Sequence, residues 1–480
     1  MLAAGFAPAQ DQPDPGALEQ QEPTYEEPGV LSRAGGFGLY VRDAGLYDFA
    51  AASIPPTSPD AEDSSYEGPS ILSRATGLPS GAKGAINAFG LYAQILGVYD
   101  SGLVAPAAQG KTVAAGSYGT ETSFGGNAVH RWKRGELSMV YRGAWLRYAN
   151  APEFNGLDQY LQLMLDQALL RHLTLSAQVT AGTTTIANGA FSFFPLGSLD
   201  RIGLPADELF DSRTNYMQSR VDLTWRRTAR LSFDFGGDGF LVRRESPLLA
   251  GLNGFSARAG VAYRLTARQT ISASYDQLEF DFQNAFGHST LETGALGYSV
   301  ALAREWDLAT LAGAARVNTS GLTEVAVDPA IAALTGENYA VITFASLHYF
   351  PVAEIRLMRR LKEGTLTLDS ASNITPGNGF YLTSRQTFGG LAYSYLFSRA
   401  LEARWNAGFS RLAPIEQSLG KYSNLQGGIQ ALYRLTGDTY LDVRYDYRHY
   451  TTGDAWLKKD SSRVSLGVAF GLGETSEMRW

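Results

Sequence analysis

The 480-residue chain contains no cysteine. This removes disulfides, thiol catalysis and thiolate metal sites together, and it suits a secreted or envelope protein that stays unfolded in transit. No stretch approaches the ~20 consecutive apolar residues of a membrane helix, so helical spans are excluded. Histidine is scarce: His130, His172, His288, His348 and His449 are the only five, and no two have metal-ligand spacing. An excess of positive charge is also missing. The net charge of -7 argues against nucleic acid as a partner.

What is abundant is glycine and aromatic residues, with 52 Gly, 25 Tyr and 24 Phe, a composition that favours turns and strands over helices. Between Tyr440 and Tyr450, Leu441, Val443, Tyr445 and Tyr447 share one face, while Asp442, Arg444, Asp446 and Arg448 share the other. A strand with one greasy and one charged side results. The next apolar run repeats the pattern with Val464, Leu466, Val468 and Phe470.

Three regions are read along the chain. Residues 1–9 resemble the tail of a secretory signal, ending in Ala7-Pro8-Ala9. Residues 10–83 are rich in Pro, Gly and acidic side chains, and are expected to be a loosely ordered periplasmic segment. Within it, Tyr25-Glu26-Glu27-Pro28-Gly29-Val30-Leu31-Ser32-Arg33-Ala34 returns as Tyr66-Glu67-Gly68-Pro69-Ser70-Ile71-Leu72-Ser73-Arg74-Ala75. Each copy, with its Tyr25 and Arg33 or Tyr66 and Arg74, is either a docking motif for the main domain or a partner, or the remnant of a local duplication.

From residue 84 to 480, alternating segments are joined by two kinds of connection that take turns. One kind is very short and basic, as at Trp132-Lys133-Arg134-Gly135 and Trp225-Arg226-Arg227-Thr228; the other is long and polar or glycine-rich, as between Thr183 and Ser212 or Asn318 and Asn338. Pairing strands across the short turns predicts an all-β, antiparallel up-and-down barrel of about 18 strands, within a range of 16 to 20. A soluble sandwich has no reason to collect its short turns at one end. Trp132, Trp225, Tyr263, Trp306, Phe397 and Tyr433 beside those turns form an interfacial girdle. With the apolar face on lipid, Arg142, Arg220, Asp222, Asp234, Arg258, Glu402, Arg404, Asp442, Arg444, Asp446 and Arg448 are predicted to line a lumen. They either create a field that selects polar solutes or pair with one another across strands. A charge change should be costly at Val443 and tolerated at Arg444. Phe191, Phe193 and Phe194, in the long connection, are candidates for a constriction or a cap.

On these features the chain resembles the porin-like Gram-negative outer-membrane β-barrels. Trp480 is similar to the terminal aromatic residue that the barrel-assembly machinery reads in such proteins, although Glu474 and Ser476 interrupt the apolar parity before it. The resemblance implies outer-membrane lipid and lipopolysaccharide as surroundings, and a periplasmic partner could engage residues 25–34 and 66–75. His288-Ser289 has no triad context, and Gly77 to Gly84 has the wrong spacing for a phosphate loop. The chain is therefore read as a non-enzyme without cofactor. A channel for polar solutes is the leading expectation, with an export barrel for a polymer such as exopolysaccharide and a closed structural or adhesive barrel as alternatives.

Overall fold

The computed structural model describes residues 87–102, 116–185, 213–247, 249–283, 287–326, 339–398, 400–416, 420–436, 438–453 and 458–473. Its strands are β1 (Asn87–Asp100), β2 (Ser117–Trp132), β3 (Gly135–Tyr148), β4 (Gly156–Leu170), β5 (Leu173–Thr185), β6 (Arg213–Arg226), β7 (Leu231–Arg244), β8 (Gly251–Thr266) and β9 (Gln269–Gln283). They continue as β10 (Gly287–Ala301), β11 (Trp306–Ala326), β12 (Tyr339–Leu361), β13 (Gly364–Thr375), β14 (Ser384–Leu396), β15 (Leu401–Pro414), β16 (Tyr422–Arg434), β17 (Thr439–Thr452) and β18 (Lys458–Gly473). Each pairs antiparallel with its neighbours in the chain, and β1 pairs with β18 from Gly90↔Gly473 to Asp100↔Arg463. The sheet is a closed 18-stranded barrel.

The connections 133–134, 171–172, 267–268 and 362–363 lie at one end, where β1 also starts and β18 also finishes. The strand ends at Asp100 and Ser117, and at Thr185 and Arg213, which longer connections join, lie at the other. The sequence placed the Asn318–Asn338 stretch in a loop, whereas β11 and β12 pair continuously from Trp306↔Arg359 to Ala326↔Tyr339. Backbone pairing does not require alternation, so the weakly patterned Asn318-Thr319-Ser320-Gly321 still forms strand. Pro351 does not interrupt β12 either. It lies just above the last pair with β13, Ala353↔Ser372, where β12 has become an edge and a missing N–H is tolerated.

Large apolar side chains are exposed around the barrel wall, among them Ile95, Met139, Val221, Tyr275, Leu296, Ile355, Phe409 and Val443. Trp132, Trp225, Tyr263, Phe397 and Tyr433 are exposed beside the short turns. Such a belt would be a severe liability in water and is the expected outside of a barrel in lipid. A closed barrel with this belt is of the outer-membrane type, and the outer membrane is its location.

The strands are longer than the 9 to 11 residues a tilted membrane crossing needs, and their surplus reverses the pattern. On β9, Ile271, Ala273 and Tyr275 face out opposite inward Ser272, Ser274 and Asp276. Three residues on, Gln277, Glu279 and Asp281 take the outer face, while Leu278, Phe280 and Phe282 are buried inside. Above the lipid belt the barrel therefore has a wet outside and a greasy inside. Phe240, Val242, Leu252, Phe280, Leu291 and Val317 belong to one cluster there, with Phe280 and Phe282 edge to face at 5.5 Å. Each large side chain so buried contributes roughly 1.5–3 kcal/mol.

Candidate functional site: the barrel interior and its inward loop

The eleven charged residues singled out in the sequence sit on the inward parity of their strands, and Arg142, Asp222, Asp234, Arg258, Arg404, Asp442, Asp446 and Arg448 are buried. Ten of them fall into two groups, and the eleventh, Arg142, lies on β3. On β6 to β8, Arg258 donates to Asp222 and, at 2.8 Å, to Asp238; Arg220 Nε lies 2.5 Å from Asp222. Ser256 donates to Asp238 at 2.8 Å, and Thr224 to Asp234 at 2.9 Å. Gly236 makes room for this group, since a Cβ there would fall 2.2 Å from Asp222 Oδ1.

The second group climbs β15 to β18 and crosses the closing seam. Arg404 pairs with Glu402 at 2.7 Å, and Arg444 with Asp446 at 2.6 Å. Asp442 accepts from Gln94 of β1 at 2.6 Å and from Gln430 at 3.0 Å. Arg448 donates to Asn424 at 3.0 Å, and Arg463 reaches Glu121 and Asp100. Much of this charge is mutually compensated, Arg220, Arg404 and Arg444 each by a carboxylate two residues away on the same strand, and Arg258 and Arg463 by carboxylates on other strands. Arg444 is consequently not free to change alone, because Asp446 depends on it.

Removing a member from the middle of such a network leaves buried carboxylates behind. Arg258→Ala should destabilise the barrel by about 3–5 kcal/mol, read as a shift in the urea midpoint for unfolding from vesicles. Unfolding at the wild-type midpoint would show that water, and not Arg258, compensates Asp222 and Asp238.

The lumen is not polar throughout, because the apolar cluster lies on its wall at the loop end, and a loop enters it. Between β13 and β14 the chain reads Thr375-Pro376-Gly377-Asn378-Gly379-Phe380-Tyr381-Leu382-Thr383, and nearly all of it is buried, with Tyr381 only 1% exposed. Its turn needs glycine: Gly377 and Gly379 have φ of +82° and +88°, a region that residues with a Cβ rarely adopt. Asn378 locks the turn by accepting from Tyr381 N at 3.0 Å. The loop is then tied across the barrel. Gly379 O accepts from Ala250 N at 3.1 Å, on the far side of β9 to β12, and Ala250 O accepts from Arg244 at 2.5 Å. Thr383 hydrogen bonds Ser289 of β10 at 2.8 Å. Tyr381 packs with Leu412, Tyr422 and Tyr450, and Leu382 lies against the apolar cluster.

Sequence reasoning assigned the constriction to Phe191, Phe193 and Phe194, which lie outside the described residues, as do Tyr25, Arg33, Tyr66, Arg74 and Trp480. It passed over residues 376–383. The available signal was a Pro-Gly-Asn-Gly turn followed directly by Phe-Tyr-Leu, three large apolar groups with no strand to hold them.

No protein-family model matches the chain, and no curated protein does. Among solved structures it is similar to Pseudomonas aeruginosa OccK5 (OpdH), with 11% identity and a TM-score of 0.40 over 81% of this chain and 98% of that one. A BenF-like porin from Pseudomonas fluorescens Pf-5 has 10% identity and a TM-score of 0.41 over 81% and 98%. The ferric citrate transporter FecA in its unliganded form has 12% identity and a TM-score of 0.38 over 76% and 60%.

Proposed function

We propose that the barrel is a channel for small polar solutes, narrowed at its loop end by residues 376–383. The observation that carries this is where charge is kept and where it is not. At the loop end the chain packs its interior with Phe, Leu and Val, so an apolar filling is within its means. Deeper inside it retains Arg and carboxylate groups whose burial is expensive, and which a filler role would replace with apolar residues at no loss of stability. Their retention in both wall groups is explained by a path along which water and polar solutes move.

The inward loop sets the narrow point. Phe380, Tyr381 and Leu382 at a mouth of this kind restrict passage by size and by excluding water. Purified barrel in planar bilayers is expected to give steady steps of small conductance that scale with salt concentration. If neither the intact chain nor one shortened in the inward loop conducts, the channel reading is wrong.

A further inference from the structure

The end of the barrel at which β1 begins is basic. Its eight connections, each of two to four residues, carry eight exposed Lys and Arg side chains against three exposed carboxylates among the described residues. Lys133, Arg134, Arg227, Arg230, Arg268 and Lys362 are among those cations. Carboxylates of this end are already engaged by cations of the strand ends: Glu136 lies 2.6 Å from Arg131, Asp307 2.5 Å from Arg360 and Glu305 3.7 Å from Arg359. Positive charge is therefore in excess around this rim.

Charge of the opposite sign is attached to the rim by the chain itself. Residues 10–83 hold 12 Asp and Glu against 4 Lys and Arg, a net charge of -8, so the remainder of a chain of net -7 sums to +1. This acidic stretch runs into β1, whose first residue, Asn87, pairs with His130, three positions before Lys133. Glu67, in the second Tyr-Glu-x-Pro copy, is 20 positions from Asn87, and a flexible chain of 20 residues averages roughly 25 Å end to end. A mouth ringed by 18 strands, about 4.8 Å apart and tilted by about 40°, is about 35 Å across. The 31 residues between the two copies average roughly 30 Å as a coil, enough to carry the first copy to the opposite side. Tethering of this kind holds a segment at a roughly millimolar effective concentration, where individually weak surface ion pairs act together.

We propose that the acidic segment 10–83 of this chain docks on the basic rim where β1 begins and lies across the mouth, with Glu26, Glu27 and Glu67 of its two copies against the turn cations. Anionic lipid headgroups carry the same sign of charge, but the tether and the span of the mouth favour the segment. Docking does not depend on whether the barrel conducts.

Carbodiimide cross-linking of the full chain in neutral detergent tests it. The reagent joins a carboxylate to a lysine amine as an amide and takes up the water released. Lys133 and Lys362 mark the rim, whereas Lys421 and Lys458 lie at the other end. Links from Asp or Glu of residues 10–83 to Lys133 and Lys362 are expected at several times the yield of links to Lys421 and Lys458. They should fall several-fold in about 0.5 M salt, where screening shortens the reach of exposed charges, and again in R134Q/R227Q/R230Q/R268Q, whose changes are confined to exposed turn positions. The salt response of the unaltered chain stands without that variant. Mixing isotopically labelled with unlabelled chains separates links within one chain from links between two. Equal yields at both ends, indifference to salt, or links only between chains would overturn the docking. Loss of the links on adding phosphatidylglycerol would overturn it too, and would assign the rim to anionic headgroups.

Discussion

Replacing Pro376–Thr383 with Asn-Gly is expected to raise single-channel conductance several-fold. Thr375 and Ser384 already form the last pair of their ladder, and Asn-Gly is the preferred two-residue link for such a hairpin. The exchange withdraws Phe380, Tyr381 and Leu382 from the mouth and cuts the ties to Ala250 and Ser289. Losing a fully buried Tyr381 and part of the apolar packing costs about 1.5–3 kcal/mol per large side chain, a loss confined to the region above the lipid belt. Gly379→Val should produce a partial version of the same change. Its φ of +88° disfavours any Cβ, and that atom would lie 2.7 Å from Arg244 Nε. An unchanged conductance in the Asn-Gly variant would mean that the narrow point lies among the deeper charges.

The second large effect separates the two faces of β17. Val443→Arg should cost about 2–4 kcal/mol near the middle of the bilayer, measured by reversible urea unfolding from vesicles. Val443 is exposed on the belt and paired with Leu466 and Ala431, neither of which offers a countercharge. By contrast, Arg444→Gln combined with Asp446→Asn removes an inward pair as a unit and should be nearly neutral, since a buried ion pair replaced whole loses little. Arg444→Gln alone should lie between them, because Asp446 is then left without its 2.6 Å partner. If the double variant were as damaging as Val443→Arg, the pair would be holding the barrel together.

The alternation of β17 and β18 made both the strands and their lipid-facing side legible. It succeeded because lipid imposes one polarity on every outward residue at membrane depth. Above that depth the rule reverses, and β9 carries the reversal in plain sight: the apolar parity passes from Ile271, Ala273 and Tyr275 to Leu278, Phe280 and Phe282 within one unbroken strand. Treating each strand as having a single greasy face hid the interior apolar cluster. The inward parity of the charged positions was readable from the alternation, but the partner of each was not. Arg258 meets Asp222 across a neighbouring strand, and which carboxylate it meets depends on register, which composition does not fix. The inward loop escaped notice because it is short and the aromatic-rich 183–212 stretch competes with it.

The closure of the sheet has a consequence for chain order. Every ladder but one joins neighbours in sequence, and the exception brings Gly90 beside Gly473 at the short-turn end. The two ends of the barrel are thus already where another two-residue turn would sit. A circularly permuted gene that joins them by a short linker and opens instead at 267–268 should reproduce the same sheet, with β9 leading and β8 closing. Which strand comes first is a property of the gene; the cylinder itself has no beginning.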